Sequence, residues 1–309
     1  MAIEAPRLSR EDLYSFLGHQ VGVKSDIPEV AEHLRSVYAH FYHGPSEGTV
    51  RATQGLGASA GLHVDIRNEL ASKNEITVDA SGTIYHVKCR SLDRLETDMG
   101  RISDPMAYVQ LLILVELSRY TNGRHLLHAG AVSWGNRGFM FPGHAGAGKT
   151  TLVLALVKRG FKFLSDEVAS LHFDHGILEP FPRKLDVAEE TLSLLGQTLG
   201  GRGFSDVVSP RGGISNLDVA EIIPAAISPA CVPRYLVFLQ GCGESVRLES
   251  VAGSNAVFKL LRFGFRRDDD FPSLLYKLAP IVDKMRCFNL VMGDMDETAD
   301  CVSRLVDCS

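Results

Sequence analysis

The spacing of apolar positions changes along the chain, and each change marks an element. Between Pro28 and His40, Val30, Leu34 and Tyr38 recur every four residues, which puts them on one helical face. Asp26 ahead of Pro28 supplies an acidic residue and a first-turn proline, a helix start signal. Residues 44–61 are rich in Gly and Ser and read as loop. Alternation of apolar and polar residues then takes over at Leu62 to Ile66, Ile76 to Val78 and Thr83 to Val87. Asp79 to Gly82 is a turn signal between the last two strands and predicts a hairpin. Asp104 as N-cap and Pro105 as first helical residue open a helix whose apolar face runs through Val109, Leu112 and Ile113 to about Tyr120. Asn122-Gly123 ends it.

The remainder reads differently. Leu126 to Trp134 and Gly138 to Phe141 are strands around Gly135-Asn136, a dipeptide suited to the positive φ of a tight turn. A Gly-rich loop follows. A helix then runs from Lys149 to Arg159 and is stopped by Gly160. Phe161 to Leu164 is a short buried strand that leads into Ser165-Asp166-Glu167. Val168 to Phe173 and Ile177 to Phe181 form a second hairpin, turning at Asp174 to Gly176. Residues 200–213 are again Gly-rich, with Arg202 and Arg211 among them, and suit a loop closing over a ligand. Tyr235 to Leu239 is a strand. The tail is helical, with a strand at Phe288 to Met292 and a last helix from Asp296. The pattern predicts a smaller α+β domain over residues 1–123 and an α/β domain over 124–309.

Composition narrows the function classes. The 309 residues carry a net charge of −5, so the strong basic field of a general nucleic-acid binder is missing. The six cysteines are scattered without a C-x-x-C pair, which speaks against a zinc site or a disulfide scaffold and suits a reducing cytoplasm. No apolar h-region opens the chain. The apolar stretch Leu111 to Leu117, interrupted by Glu116, is far short of the roughly 20 residues of a membrane span. A cytoplasmic protein with no membrane partner is expected.

Gly143-His144-Ala145-Gly146-Ala147-Gly148-Lys149-Thr150 fits G-x-x-x-x-G-K-[ST] at every defined position. The glycines let backbone N–H groups approach phosphate oxygens. Lys149 brings a point charge to the β- and γ-phosphates, and Thr150 offers a hydroxyl to magnesium. The helix that starts here, with Thr151 in its first turn, aims its positive end at the same phosphates. The strand before and the helix after give the motif its required context.

Asp166-Glu167 follows the next strand, where a magnesium ligand is expected beside a phosphate loop. One carboxylate of such a pair can accept a proton from an attacking hydroxyl while the other serves the metal. His128, on an apolar strand, reads on its own as a packed, hydrogen-bonded residue. Gly130, two positions on, permits a close approach of neighbouring backbone. Arg183 follows Pro180-Phe181-Pro182, which would hold it rigidly. Phosphate binding and surface charge are evenly balanced readings for it. The mixed-sign run Arg266 to Asp270 reads as a solvated turn between helices.

Leu127-His128-Ala-Gly-Ala-Val132, Phe139 to Thr151, Lys158 to Phe161 and Leu164-Ser-Asp-Glu167 together resemble the HPr serine kinase family and its stand-alone relatives. That family is similar in fold to ATP-dependent phosphoenolpyruvate carboxykinases. The short interval of 17 positions from Lys149 to Asp166 looks like that group. So do Pro180 to Arg183 and the Phe288 to Asp294 segment. The resemblance is dense from Leu126 to Arg183 and extends to the C-terminus. It implies an α/β P-loop kinase domain of the HPr kinase/carboxykinase type, with ATP and Mg2+ as cofactors. It implies Asp166 as base towards an acceptor serine, His128 beside it, Glu167 and Thr150 on magnesium, and Arg183 on the transferred charge. Glu167 stands where authentic HPr kinases have a second aspartate, as in the stand-alone branch, and residues 1–123 do not look like the usual N-terminal domain. The acceptor implied is a serine in a protein or peptide, or free serine, and relatives often assemble into homo-oligomers. A nucleotide-dependent regulatory or assembly ATPase is the alternative. A carboxykinase reaction would need dicarboxylate-binding positions that the sequence does not offer.

Overall fold

The computed structural model describes residues 11–25, 28–45, 62–67, 75–81, 84–90, 97–102, 110–111, 113–115, 117–118, 123–195, 213–223, 225–265 and 271–307. The protein is a mixed α/β chain with a large mixed sheet. It divides into two compact units, Met1–Thr121 and Asn122–Ser309. Among the described residues no helix is long and apolar enough to cross a membrane.

In the first unit, β1 (Glu11–Phe16) and β2 (His19–Ser25) form a hairpin that pairs Phe16 with His19. It was not legible in the apolar pattern. The turn places Leu17 at φ 51° and Gly18 at φ 83°. β3 (Tyr42–Pro45) and β4 (Leu62–Arg67) complete a four-stranded sheet in the order β3-β1-β2-β4. The helix Pro28–Val37 is shorter than expected, and Ala39–Phe41 continues it as a 3-10 turn. Leu34 and Tyr38 are buried as the four-residue spacing predicts. Tyr38 meets Tyr14 and Phe16, the Phe16 ring lying edge-on to it at 5.1 Å. The predicted hairpin is present as β5 (Glu75–Ser81) and β6 (Ile84–Arg90), pairing Ser81 with Ile84, and β7 (Thr97–Ile102) adds a third strand. Of the expected helix near residue 104, Asp104 and Pro105 lie outside the described residues. Residues 113–115 and 117–118 are helical, with Ile113, Leu114 and Leu117 buried.

In the second unit, β8 (Arg124–Trp134) and β9 (Arg137–Pro142) form the expected hairpin around Gly135-Asn136. Gly135 has φ 57° and Asn136 does not, the arrangement of a type II′ turn. β9 runs parallel to β15 (Val232–Cys242), and β15 parallel to β17 (Arg286–Met292). The path is β12-β11-β8-β9-β15-β17-β16, with β11 (Val168–His172), β12 (Ile177–Glu179) and β16 (Arg247–Ser250) antiparallel to their neighbours. β10 (Lys162–Ser165) also pairs with β8, ahead of β11. β13 (Leu185–Val187) and β14 (Ile214–Leu217) make a separate pair.

Alternation explains the layers. Phe139, Phe141, Val237, Leu239, Leu290 and Met292 face one core with the helices Lys149–Lys158 and Met295–Ser303. Met140, Leu236, Phe238 and Cys287 face a second core with the helices Gly253–Leu261 and Phe271–Val282. A strand buried on both faces reads as a continuous apolar run, which is why β9 and β15 stood out in the sequence. The helix Lys149–Lys158 buries every side chain from Leu152 to Val157, since it lies between the sheet and the last helix.

Gly130 sets the spacing between sheet and helix. A Cβ there would meet Val153 Cγ2 at 2.8 Å, with Lys149 Cβ at 3.6 Å and Asp166 O at 3.5 Å. Val153 is stiff at χ1 and cannot swing away. Gly130→Ala is therefore expected to destabilise the protein by ~1–3 kcal/mol, as overpacking does. The midpoint of urea denaturation checks this, and an unchanged midpoint would contradict the close approach.

Candidate active site

The sheet delivers its chemistry to one edge. In an open sheet, loops at the carboxyl ends of parallel strands form the crevice where ligands bind. The Gly-rich loop 143–148 leaves β9 at such an end, beside the ends of β15 and β17. Gly146 (φ 77°) and Gly148 (φ 82°) adopt left-handed backbone, and Gly148 is the N-cap of the following helix. A Cβ on Gly148 would stand 2.7 Å from Met292 Cε, a flexible side-chain end that can give way, so it is the positive φ that favours glycine here. The first-turn N–H groups of the helix have no partner within it and can receive an anion. His144, Ala145 and Gly146 are exposed, Ala147 and Gly148 half-buried, and Gly143 buried. The Thr151 hydroxyl lies 2.9 Å from that of Thr191.

Lys149 is 7% exposed. Its Nζ donates to Gly143 O (2.9 Å) and His144 O (3.0 Å) and lies 2.9 Å from His128 Nε2. Burial pushes the Lys149 pKa down, opposed by Glu167 and Asp166. His128 is pushed down to about 4, first by burial and then by the Lys149 charge. It is therefore neutral at pH 7. With Lys149 protonated, Nε2 accepts and the ring proton sits on Nδ1.

Asp166 and Glu167 sit between β10 and β11, two strands lying end to end along β8. Ser165 pairs with Ala131 and Val168 with His128, while Ala129 N donates to Glu167 O at 3.0 Å. The bend has a local cause: the Ser165 hydroxyl accepts from Val168 N (2.9 Å) and Glu167 N (3.3 Å). Asp166 is 3% exposed. It accepts from Thr150 Oγ1 at 3.2 Å and from Arg183 Nε at 3.3 Å. Burial holds its carboxyl above the usual carboxylate range, against the pull of Arg183. Arg183 also pairs with Glu167 through Nη2. Its position follows from Phe181, which is fully buried and whose N–H donates to Leu164 O at 2.9 Å, pinning the Pro-Phe-Pro segment beside β10.

The structure thus brings together all of the loop residues, His128, Asp166, Glu167 and Arg183. Arg183 bridges Asp166 and Glu167, and Lys149 lies on the other side of the cluster against a neutral His128. The threonine hydroxyl bonds to Asp166, and Glu167 faces the arginine. Arg202 and Arg211 lie outside the described residues. Among those described, no group of three His, Cys, Asp or Glu side chains could hold a metal. The hard oxygen set of Thr150, Asp166 and Glu167 instead suits magnesium, which is bound through one or two carboxylates plus phosphates and keeps several waters. Two neighbours of His128 carry no signal in the sequence. Phe263 O accepts from His128 N at 2.7 Å, and the Phe265 ring lies edge-on to His128 at 5.9 Å. They come from a segment more than 100 residues further on, with no local motif.

The site gives His128 a measurable acid signature. Its folded pKa of about 4 lies below the ordinary 6.5. Between these values the unfolded chain binds a proton that the folded chain does not, so this group makes stability rise with pH across the window. His128→Gln removes that contribution. The stability of wild type relative to the variant should climb from pH 4 to 6.5 and flatten above, as thermal melts at each pH would record. A flat difference would mean His128 titrates normally.

No protein-family model matches the chain, and no curated protein sequence matches it.

Proposed function

We propose that the protein is an HPr-serine-kinase-like phosphotransferase, built on an α/β P-loop kinase domain, that moves the γ-phosphoryl group of ATP to the hydroxyl of a serine, free or in a peptide or protein. The observation that carries this reading is the convergence of the loop's Lys149 and Thr150 with Asp166, His128 and Arg183, residues supplied by β8, the β10–β11 bend and the Pro-Phe-Pro segment. A Gly-rich turn with a merely structural role has no need of a buried lysine and of an arginine that bridges two carboxylates at its base.

In this reading the loop amides and Lys149 hold the β- and γ-phosphates. Thr150 and Glu167 would hold magnesium, with Asp166 within reach. When bound, the ion neutralises charge on the phosphates. Asp166 accepts the proton of the acceptor hydroxyl, and its raised pKa makes it a stronger base at neutral pH. The acceptor oxygen bonds to the γ-phosphorus as the bond to the β–γ bridging oxygen breaks, and ADP leaves. His128, oriented by Lys149, keeps its neutral form beside the base, and Arg183 offsets the charge of both carboxylates.

The test is transfer of labelled γ-phosphate to free serine, serine-containing peptides and sugars, followed by mass spectrometry. A phosphorylated acceptor, with nucleotide consumption accelerated by orders of magnitude when that acceptor is present, supports the reading. Inorganic phosphate released with no phosphorylated product across these acceptors overturns it in favour of a nucleotide-driven switch.

A further inference from the structure

A second set of side chains reaches the mouth of the Gly-rich loop. Loop residues 144–147 form one wall of a cleft of about 330 Å³. Phe238 and Gln240, towards the end of β15, lie along it, and Lys259, Arg262 and Phe263 form a further wall, with the Phe263 ring against His144. The cleft shares this wall with the candidate active site. Residues 263–265 run beside β8: His128 N donates to Phe263 O (2.7 Å), Phe265 N donates to Leu126 O (3.1 Å), and Gly264 bridges Leu127. The Phe263 ring faces His144 at 5.4 Å, while Phe265 faces His128. Lys149 Nζ lies against the carbonyls of Gly143 and His144, so the cation that meets the terminal phosphate sits at the loop's first residues, next to the cleft.

Among the described residues, charge in the cleft has one sign. Lys259 donates to the neutral amide of Asn289 at 2.7 Å and lies over the Phe238 ring at 5.5 Å. Arg262 is exposed. No carboxylate lines the cleft, and neither cation is ion-paired among the described residues. The volume is at the small end for ligand sites, which run from about 300 to 1,000 Å³. We infer that this cleft is the acceptor site, and that Lys259 and Arg262 select a small hydroxyl compound carrying its own anionic group. The inference rests on the phosphotransferase reading above. It adds the chemistry of the acceptor: a carboxylate or phosphate held by the two cations, with the hydroxyl turned towards Asp166 and the γ-phosphate.

The experiment compares acceptors in pairs that differ in charge: L-serine with L-serinamide, D-glycerate with glyceramide, and glycerol 3-phosphate with glycerol. The readout is kcat/KM for labelled phosphate transfer by the full chain. Charged members should be favoured ~10-fold or more, and the preference should shrink as salt is raised. The first two pairs report a carboxylate and the third a phosphate. Arg262→Gln and Lys259→Gln should each cut the preference ~10-fold, chiefly through KM, while Arg262→Lys keeps most of it. Equal transfer to both members of every pair, transfer confined to serine peptides, or a preference untouched by these variants would overturn the acceptor-site inference and leave phosphotransfer standing. Phosphate release with no phosphorylated product from any acceptor would overturn both.

Discussion

Lys149→Ala is expected to lower acceptor phosphorylation by at least ~10²–10³-fold, the usual loss when one electrostatic contact to developing charge is removed. The reason lies in the burial of this side chain. Lys149 is stripped of most of its water, so its charge acts at full strength on a phosphoryl group beside it. Nucleotide affinity should fall as well, because the same ammonium binds the ground-state phosphates. The variant also strips the carbonyls of Gly143 and His144 of their donor. A thermal melt should accompany the kinetics, to separate loss of chemistry from loss of fold. Wild-type transfer by this variant would remove the loop from the reaction.

Asp166→Asn tests the second half of the site. The amide keeps the shape and can still accept from Thr150, and Arg183 retains Glu167 as partner. It cannot take up a proton. Transfer should fall ~10²–10⁴-fold, the range for loss of a general base. Nucleotide binding and the magnesium dependence of the residual rate should stay near wild type. The pH profile carries a further sign. A base must be ionised to act, so the wild-type rate should rise with pH through the Asp166 pKa, which burial raises. The variant should lose that limb. Equal losses of rate and nucleotide affinity, relieved by added magnesium, would assign Asp166 to the metal instead. The 3.2 Å contact with the Thr150 hydroxyl makes this a sharp question, since the proposed reading gives that hydroxyl to the magnesium ion.

Much of this was determined by local sequence. The loop from Gly143 to Thr150, its flanking strand and helix, the hairpins at Gly135-Asn136 and at Asp174 to Gly176, and the helix stop at Gly160 all follow from short-range rules. Turn chemistry and backbone freedom act within a few residues, so the sequence carries them openly. The strand edges in the first unit were less legible: β1 and β2 alternate imperfectly, and the contacts of Tyr14 and Phe16 with Tyr38 and of Phe16 with Phe41 come from further along the chain. The role of Arg183 was undecidable from its neighbours, because a proline-held arginine serves equally as surface charge. Only the burial of Phe181 against β10 points the guanidinium at Asp166 and Glu167. The cations Lys259 and Arg262 and the rings of Phe263 and Phe265 carried no signal at all. They reach the site because residues 263–265 pair with β8 from more than 100 residues away. A pairing over that distance is set by the buried faces of the whole sheet, which no local window contains.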